Sequence, residues 1–296
     1  MINYDLKEIK KHGTDDYNFD VYKGIIGNVF KISVHWHDEY EIIHVFEGEL
    51  ELLINGKKHT IRENEAIFIN SQAVHSQIIE NSNIKDGNRA KYLCYVFGEK
   101  FVFPDQNSFI YKNIYSKIKE ENVILTQVIN TDSQFGRDFI SLLNSLSFLY
   151  LDRKNAIKIQ NVLLKIFDLI IDNKSYSTSE NNFFENNTII IKALELIHEQ
   201  HLQDCSVSNM SKSLHLNVDY FIKLFKKHVG ITPNKYILEL KLDKATQMLK
   251  YSNDISVSAV AEECGFKDLN YFCRLFKKYN KQTPSELKLS ENQNIK

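Results

Sequence analysis

The sequence predicts an α+β protein, in which an N-terminal antiparallel β-barrel with flanking helices precedes an all-α C-terminal domain of two repeated helical units. Three observations support this prediction. Short segments rich in β-branched and aromatic residues fill positions 20–100. Apolar residues then recur at helical spacing from about position 107. Finally, one segment occurs twice within the C-terminal part of the chain.

The predicted strands are separated by turn residues. Asn55-Gly56, between ELELLI and KKHTI, is a preferred pair for a two-residue hairpin loop, because both loop positions need a positive φ. Many short strands at this spacing are typical of an antiparallel barrel or sandwich, which we place at about residues 20–100. The predicted strands are VFKISVHW, YEIIHVFEG, ELELLING, KKHTI, EAIFIN and KYLCYVFG.

Two amphipathic helices are predicted within about residues 107–172. Their apolar residues recur every three or four positions and so share one face. The helices either cover the barrel or expose an apolar strip as a dimer interface, since a core face and a bundle seam have the same period. The apolar positions are Phe139, Leu142, Leu143, Leu146, Leu149 and Tyr150, followed by Ile157, Ile159, Val162, Leu163, Ile166, Leu169 and Ile170.

A linker is predicted between the two halves of the chain. Residues 173–187, NKSYSTSENNFFENN, are polar and show no periodicity. The expected domains are therefore an N-terminal domain over 1–172 and a C-terminal domain over 188–288, with a short tail over 289–296.

Charge and composition narrow the class of protein. Residues 1–187 hold 21 basic and 26 acidic side chains, whereas residues 188–296 hold 16 basic and 12 acidic. This asymmetry fits a nucleic-acid-binding module joined to a different kind of domain. The 4 cysteines form no CxxC pair, so we expect reduced thiols in a cytoplasmic protein. The sequence shows no signal peptide and no apolar run of about 18 residues, which predicts no membrane partner.

The C-terminal region contains a duplication. The segment from Val207 to Pro233 matches the segment from Val257 to Pro284, at an offset of 50 residues that becomes 51 after a one-residue insertion. A repeat of this size implies two copies of one structural unit. Matching pieces are Tyr220-Phe221 with Tyr271-Phe272, and Leu224-Phe225-Lys226-Lys227 with Leu275-Phe276-Lys277-Lys278.

Each copy is predicted to form a short helix, a tight turn and a longer helix. In the second copy Ser256 or Ser258 caps a helix that Gly265 ends, and Asp268 begins the next helix. The longer helices have an apolar face made by Phe221, Leu224 and Phe225 in the first copy and by Phe272, Leu275 and Phe276 in the second. Their polar faces carry Asp219, Tyr220, Lys223, Lys226 and Lys227, and Asn270, Tyr271, Arg274, Lys277 and Lys278.

A polar and basic helix, held by a short helix and a tight turn, is an arrangement with which proteins read the major groove of DNA. Each copy would then be a helix-turn-helix unit. The alternative is a helical bundle with solvated lysines, but two copies with basic faces at the same offset favour DNA binding. The joining segment PNKYILELKLDKATQMLKYS predicts a linker helix of about 18 residues, or about 27 Å. That length suits two successive major grooves, which are about 34 Å apart.

Residues 189–287 resemble the DNA-binding domain of the AraC/XylS family of bacterial transcription regulators. Two positions depart from the family pattern: Lys241 replaces an arginine, and Asn280-Lys281 replaces a glycine turn. The matching residues are Gly230-Ile231-Thr232-Pro233, Tyr236, Leu242, Ala245, Ile255, Val260-Ala261, Gly265-Phe266, Asp268, Asn270-Tyr271-Phe272, Arg274, Phe276-Lys277-Lys278 and Thr283-Pro284.

The resemblance implies a sequence-specific transcription regulator, an activator rather than an enzyme. Its implied partners are double-stranded promoter DNA, RNA polymerase, a small-molecule effector and a second copy of itself. Lys277 and Lys278 would contact phosphates, as would Lys226 and Lys227. The implied groove-facing residues are Asn217, Asp219, Tyr220 and Lys223 in the first copy and Lys267, Asn270, Tyr271 and Arg274 in the second.

A histidine-rich pattern in the N-terminal domain carries a second resemblance. The HxHxxxE pattern of His35, His37 and Glu41, with the distal His75, resembles the ligand pattern of a cupin metal site. Strand alternation places His35 and His37 on one face. Three imidazoles and one carboxylate would suit iron, manganese, nickel or zinc. The second cupin motif is degraded: Asn64, Asn70 and Gln72 stand where glycine, proline and glycine are usual.

Regulators of the AraC/XylS family commonly carry a cupin-like sensor that binds an effector, often a sugar or related metabolite, without using a metal. By resemblance, His35, His37, Glu41 and His75 would be effector-binding residues, and we expect no cofactor. Two alternatives stay open. One is a metal-dependent cupin enzyme fused to a DNA-binding domain, with the same four residues as ligands. The other is a constitutive DNA binder whose barrel serves only to dimerise.

Overall fold

The structure is a computed structural model that describes residues 12–14, 16–25, 34–77, 90–116, 123–124, 127–173, 177–178, 183–199, 205–251 and 255–294. The chain forms two compact units, Met1–Ile191 and Lys192–Lys296. The first holds antiparallel sheets and helices, and the described part of the second is helical, which confirms the predicted α+β class. None of the described helices is long and apolar enough to cross a membrane.

The strands of the N-terminal unit pair antiparallel. The described strands are β1 (Phe19–Ile25), β2 (Tyr40–Glu47), β3 (Glu49–Ile54), β4 (Lys57–Arg62), β5 (Ala66–Ile69), β6 (His75–Gln77), β7 (Lys91–Phe97), β8 (Val123–Ile124), β9 (Val128–Ile129) and β10 (Ser177–Thr178). The sheets have the strand orders β1-β7-β2-β5-β9, β4-β3-β6 and β10-β8. Five predicted strands coincide with β2, β3, β4, β5 and β7. Most of the remaining predicted strand, VFKISVHW, lies outside the described residues. Its residue His35 forms an isolated antiparallel β-bridge with His75.

The five-stranded sheet is buried on both faces because its side chains alternate between two cores. Ile42 on β2 belongs to the core that contains Phe139 from the flanking helices. Its neighbour Ile43 belongs to a separate core that contains Leu50 from the three-stranded sheet. The two sheets therefore enclose an inner core. Glu41 shares the parity of Ile43 along β2 and so points to this inner side.

The two predicted amphipathic helices are confirmed, and they cover the outer face of the large sheet. Their buried residues include Leu143 and Leu163, which pack in the same core as Ile42. Ser133 caps the first helix by accepting a hydrogen bond from the Gly136 amide. The helices of this unit are α1 (Glu99–Val102), α2 (Gln134–Leu149), α3 (Ala156–Asp172) and the first part of α4 (Phe183–Glu199), with a π-helical turn at Tyr111–Tyr115 and a 3₁₀ turn at Arg153–Asn155.

Left-handed residues occur at several turns of the sheets, including Gly48 between β2 and β3 with φ of 80°. Asn55 and Gly56 have φ of 47° and 79°, so the predicted hairpin between β3 and β4 is confirmed. Asn64 and Gln72 have φ of 61° and 60°. These are the two positions at which the cupin pattern expects glycine. The backbone is therefore left-handed at both positions, although neither residue is glycine, which adopts this conformation most easily.

The C-terminal unit follows the predicted repeat. It contains α5 (Val207–Ser213), α6 (Val218–Val229), α7 (Pro233–Tyr251), α8 (Val257–Glu263), α9 (Leu269–Asn280) and α10 (Pro284–Asn294), preceded by the end of α4. Helix α7 is the predicted linker helix and has 19 residues, or about 28 Å.

Regular structure extends into the predicted linker and tail. Ser177–Thr178 pair with Val123–Ile124, and α4 begins at Phe183, before the predicted start at residue 188. The boundary between the two compact units falls inside α4, and α10 runs to Asn294, within the predicted tail over 289–296. The pairing of β10 depends on a strand more than 50 residues away in sequence, so the local sequence gave no sign of it.

Candidate DNA interface and histidine cluster

The short helix and turn of the two copies have the same backbone hydrogen bonds. In the first copy the Leu216 amide donates to the Ser211 carbonyl over 2.8 Å, and in the second the Phe266 amide donates to Ala261 over 2.9 Å. The turn residue His215 has φ 56° and its equivalent Gly265 has φ 74°. The two copies are therefore the same structural unit, although one of them places a histidine in the left-handed position.

Equivalent side chains cap the longer helices. The Asn217 side-chain oxygen accepts hydrogen bonds from the amides of Asp219 and Tyr220, and Asp268 accepts one from the Tyr271 amide. The inserted residue of the second copy, Lys267, lies just before this cap. Capping sets the start of each helix and therefore the rotation at which its exposed face begins. The cap also uses the side-chain oxygen of Asn217, which is one of the predicted groove-facing residues, as a hydrogen-bond acceptor within the helix.

Helices α6 and α9 each have one buried and one exposed face. Phe221, Phe225, Phe272 and Phe276 are fully buried, while Leu275 is half-buried. All ten of the predicted DNA-contacting side chains are exposed. These ten are Asn217, Asp219, Tyr220, Lys223, Lys267, Asn270, Tyr271, Arg274, Lys277 and Lys278.

Contacts with α7 hold the second copy in place. The Lys241 ammonium donates to the Gly265 carbonyl over 3.3 Å and lies 5.9 Å from the centre of the Phe266 ring. On α9, the Tyr279 hydroxyl donates to the Asp243 carboxylate over 2.8 Å. Lys241 stands where the related family has arginine, and here it holds the turn of the helix-turn-helix unit on the linker helix.

The residues of the histidine cluster, His35, His37, Glu41 and His75, converge on the inner side of the sheet. Nε2 of His75 lies 2.9 Å from Oε2 of Glu41, and Nε2 of His37 lies 3.2 Å from the same oxygen. The ring centres of His35 and His75 are 4.0 Å apart. The antiparallel bridge between His35 and His75 brings the distal histidine to the motif.

The tautomers of two cluster histidines follow from their backbone partners. Nδ1 of His75 contacts the Ala73 carbonyl at 2.7 Å, and Nδ1 of His37 contacts the Glu39 carbonyl at 3.1 Å. A carbonyl only accepts, so each Nδ1 donates its hydrogen. In the neutral rings both Nε2 lone pairs therefore face one carboxylate oxygen of Glu41. Two lone pairs and a carboxylate oxygen repel one another at these distances. The arrangement is favourable only with a positive charge, which is either a proton on an imidazole or a cation bound between the rings and Glu41.

The charge of Glu41 is stabilised by its neighbours. Burial alone would raise the pKa of Glu41, but His75 and His37 outweigh it and hold that pKa well below its usual value. Burial likewise opposes protonation of His37, yet Glu41 raises the His37 pKa above its ordinary value. The other carboxylate oxygen of Glu41 accepts a hydrogen bond from the Cys94 thiol. The cluster is thus an anionic acceptor surrounded by imidazoles.

The donor set fits a divalent transition metal. The four ligand atoms all lie within 4.8 Å of one another. The nitrogen–oxygen distances to Glu41, 3.2 Å from His37 and 2.9 Å from His75, are short enough for these side chains to share one ion. Imidazoles that donate Nδ1–H to backbone carbonyls are typical of metal-binding histidines. Because Nδ1 of the neutral His75 ring donates to Ala73, its Nε2 keeps a lone pair that a metal ion could accept.

Sequence reasoning missed His12 and Cys94 beside this cluster. The His12 ring packs edge-to-face on His37, with ring centres 5.2 Å apart, and its Nδ1 lies 2.9 Å from the Tyr22 hydroxyl. Tyr22 in turn donates to Asp20 over 2.9 Å. No spacing pattern links residue 12 to residue 37, because only the fold brings them together.

Two domain families match the chain: a helix-turn-helix domain over residues 210–289 and a cupin domain over residues 27–85. The HTH-type transcriptional regulator YdeC of Bacillus subtilis (strain 168) is 20% identical over 97% of this chain and 97% of its own length. The HTH-type transcriptional activator RhaS of Mannheimia succiniciproducens is 24% identical over 86% of this chain and 88% of its own. A crystal structure of fatty-acid-bound ToxT from Vibrio cholerae has 15% identity, a TM-score of 0.42, and covers 91% of this chain and 94% of ToxT.

The chain carries the two domains of AraC-family regulators and is similar to such regulators over most of its length. It joins a cupin domain to an AraC-type helix-turn-helix domain, as the sequence predicted, and it is a DNA-binding transcription regulator. In this chain the four residues of the histidine cluster come together, whereas the predicted DNA contacts are spread over the exposed faces of α6 and α9.

Proposed function

We propose that the protein is an effector-responsive, sequence-specific regulator, acting as an activator, which binds promoter DNA through α6 and α9. The observation that carries this proposal is the matched pair of reading helices. Both are capped at the equivalent residue and buried through equivalent phenylalanines, and both expose polar and basic side chains. Groove-facing residues near each cap would specify sequence, and Lys277 and Lys278 would contact phosphates. RNA polymerase and a second copy of the chain are the proposed protein partners in the cytoplasm.

The DNA-binding part of this proposal is tested by selecting bound sequences from random DNA with the full chain. We expect an enriched site with two recognised segments about one helical turn apart. Binding to this site should exceed binding to scrambled DNA by at least 10³-fold at physiological salt. Equal affinity for both would contradict sequence-specific reading.

The histidine cluster is the proposed effector site, with a sugar or related metabolite as the effector. Four polar side chains on the inner side of the cupin sheets provide convergent hydrogen-bond donors and acceptors for such a ligand. A thermal-shift screen of sugars and related metabolites tests this, since a ligand that binds only the folded state raises the melting temperature. A hit that loses its effect in a His75→Ala variant would support the cluster as the site, and an unchanged shift would contradict it.

A second candidate function is metal binding at the same cluster. The observation that favours it is the convergence of two Nε2 lone pairs on one oxygen of Glu41. His35, His37, Glu41 and His75 would hold the ion, which would supply a Lewis acid there. Other residues of the chain orient the ligands. The carbonyls of Ala73 and Glu39 hold the rings of His75 and His37, and the Cys94 thiol holds the carboxylate of Glu41. Metal analysis of the purified protein separates the candidates, because a stoichiometric ion supports this one and its absence contradicts it.

A further inference from the structure

Two hydrogen bonds join the C-terminal end of α9 to the linker helix α7. The Tyr279 hydroxyl donates to the Asp243 carboxylate over 2.8 Å, and the Asn280 side-chain amide donates to the Thr246 hydroxyl over 3.0 Å. Tyr279 and Asn280 are neighbours in the last turn of α9. Asp243 and Thr246 are three residues apart and so lie on one face of α7. We call these four residues the α7–α9 contact.

The direction of the second hydrogen bond is fixed by the backbone of α7. The Thr246 hydroxyl donates its one hydrogen to the Leu242 carbonyl over 2.7 Å. Its oxygen therefore accepts from Asn280, whose NH₂ group must face it. Because the hydroxyl is held by its own helix, the hydrogen bond from Asn280 has a defined position and angle.

The first copy has different residues at the equivalent positions. By the offset of 51 residues, His228 and Val229 correspond to Tyr279 and Asn280. Both are buried, and Nδ1 of His228 donates to the Leu224 carbonyl of its own helix over 3.0 Å. The first copy forms the same structural unit with these residues, so the unit itself does not need a tyrosine and an asparagine there to fold.

Apolar packing holds α9 against α7 without fixing its angle. Phe272 and Phe276 share a core with Leu242, Ala245 and Leu249 of α7. The hydrophobic effect is non-directional, whereas a hydrogen bond weakens steeply as its angle changes. Helix α9 has 12 residues, or about 18 Å, so a tilt of about 10° at one end moves the other end by about 3 Å. That displacement is close to one base-pair step along DNA, about 3.4 Å.

We propose that Asp243 and Thr246 are positioning residues for the second reading helix. Through Tyr279 and Asn280 they set the angle of α9 on the linker helix, and that angle determines whether Arg274 reaches its base. The α7–α9 contact lies at the end of α9 remote from the N-terminal cap, so it acts through the helix and not by touching a base. This inference rests on the proposed function, since it concerns a helix that the proposed interface uses to read DNA.

The test compares two substitutions of one residue in the full chain. Thr246→Ser keeps the hydroxyl and should retain the wild-type affinities. Thr246→Val has nearly the same shape but removes the acceptor for Asn280. It should lower affinity for a site selected from random DNA by roughly ten-fold, the size of one lost base contact. Affinity for scrambled DNA should stay unchanged, because phosphate contacts carry no sequence information. Competition binding is measured at a temperature at which circular dichroism shows both variants to be folded.

A double-mutant cycle shows whether the two residues act as a pair. Asn280→Val introduces the residue that the first copy has at the equivalent position, and it should lower affinity for the selected site as Thr246→Val does. The double variant should lose no more than either single variant, because all three lack the same hydrogen bond. Additive losses would show that Thr246 and Asn280 act separately, and would overturn the inference.

The bases affected show which helix has moved. In selections from random DNA, Thr246→Val and Tyr279→Phe should both relax the preference at the positions whose preference is lost in Arg274→Ala. The positions whose preference is lost in Lys223→Ala, on α6, should stay as in the wild type. Equal relaxation at both sets of positions would show that the α7–α9 contact does not act through α9, and would overturn the inference.

The remaining outcomes separate this inference from the proposed function. If Thr246→Val lowers the melting temperature but leaves both affinities unchanged, the contact only stabilises the fold and the inference is wrong. An equal loss of affinity for selected and scrambled DNA also overturns it. In both cases the proposed function stands, since the wild type still enriches a specific site. If the wild type enriches no site, the proposed function fails and the inference fails with it.

Discussion

The side-chain amide of Asn187 donates a hydrogen bond to the main-chain carbonyl of Gln72 over 2.6 Å. Gln72 has a left-handed φ of 60°, and its own amide donates to the carbonyl of His37 over 2.8 Å. The loop that leads to His75 is thus tied on one side to the histidine cluster and on the other to α4. Helix α4 continues without a break to Glu199, past the boundary at Ile191.

Replacement of Asn187 is expected to loosen this loop. Asn187 is 6% exposed, and Asn187→Ala removes the partner of a carbonyl, which we expect to lower the free energy of unfolding by about 1–2 kcal/mol. Hydrogen exchange at the Gln72 and Ala73 amides should accelerate. The control Glu185→Ala changes an exposed residue of the same helix and should leave the exchange of both amides unchanged. Identical exchange in the two variants would contradict the expectation.

Loss of the Glu41 charge is expected to abolish tight metal binding. In calorimetric titrations with Mn²⁺ or Zn²⁺, Glu41→Gln should weaken binding by at least ten-fold, because two imidazole nitrogens lose their shared anionic partner. The control Glu51→Gln alters a carboxylate paired with Lys58 at 2.7 Å, away from the cluster. A wild-type protein that binds neither ion would refute the metal candidate. Equal affinities in the two variants would place the ion elsewhere.

Arg274 and Lys278 are expected to contribute differently to DNA binding. Arg274→Ala should lower affinity for the selected site by roughly ten- to hundred-fold and affinity for scrambled DNA far less, because a base contact is lost. Lys278→Ala should lower both affinities alike and reduce the slope of log affinity against log salt by about one, because a phosphate contact is lost. Competition binding at several salt concentrations measures both effects. A parallel loss in Arg274→Ala would make Arg274 a phosphate contact.

Glycine at position 281, the C-terminal cap of α9, is expected to stabilise the chain. Lys281 ends α9 with φ 63°, whereas Gly230 ends α6 with φ 86° at the equivalent position. Lys281→Gly should stabilise the chain by about 0.5–1 kcal/mol, since a side chain in this conformation is strained. Gly230→Ala should destabilise it by about 1–2 kcal/mol. Thermal unfolding measures both, and shifts of the same sign would contradict the argument.

Acid is expected to destabilise the N-terminal unit through His44. This residue is 1% exposed, neither of its ring nitrogens has a hydrogen-bond partner among the described residues, and burial lowers its pKa to about 4. The pKa in the unfolded chain is about 6.5, so the unfolded state binds the proton first. The stability contribution is complete above pH 6.5 and is lost as the pH falls toward 4, by up to about 3 kcal/mol. Urea unfolding from pH 7.5 to 5 should show this slope, and His44→Leu should reduce it.

The sequence by itself determined the features that depend on local spacing. The caps at Ser256 and Asp268, the buried phenylalanines and the Asn55-Gly56 hairpin are all set by residues within a few positions of one another, and each copy of the duplication repeats such a local pattern. Helix periodicity and turn chemistry act over that range, so the helical repeat and its exposed faces could be predicted. The strand β6 was missed because its 3 residues carry little local signal, and β1 was missed because Asp20, Lys23 and Gly24, residue types that are depleted in strands, interrupt its apolar residues.

Only the tertiary structure decided which distant residues meet. His75 joins His35 and His37 because an antiparallel bridge pairs residues 40 positions apart, and Cys94 reaches Glu41 because β7 lies beside β2. Asn187 and Gln72 are joined over 115 positions. Such contacts are made by sheet pairing and core packing, whose partners are chosen by the whole chain folding at once. A local pattern therefore names the cluster residues, but the fold alone sets the distances that give them a shared chemistry.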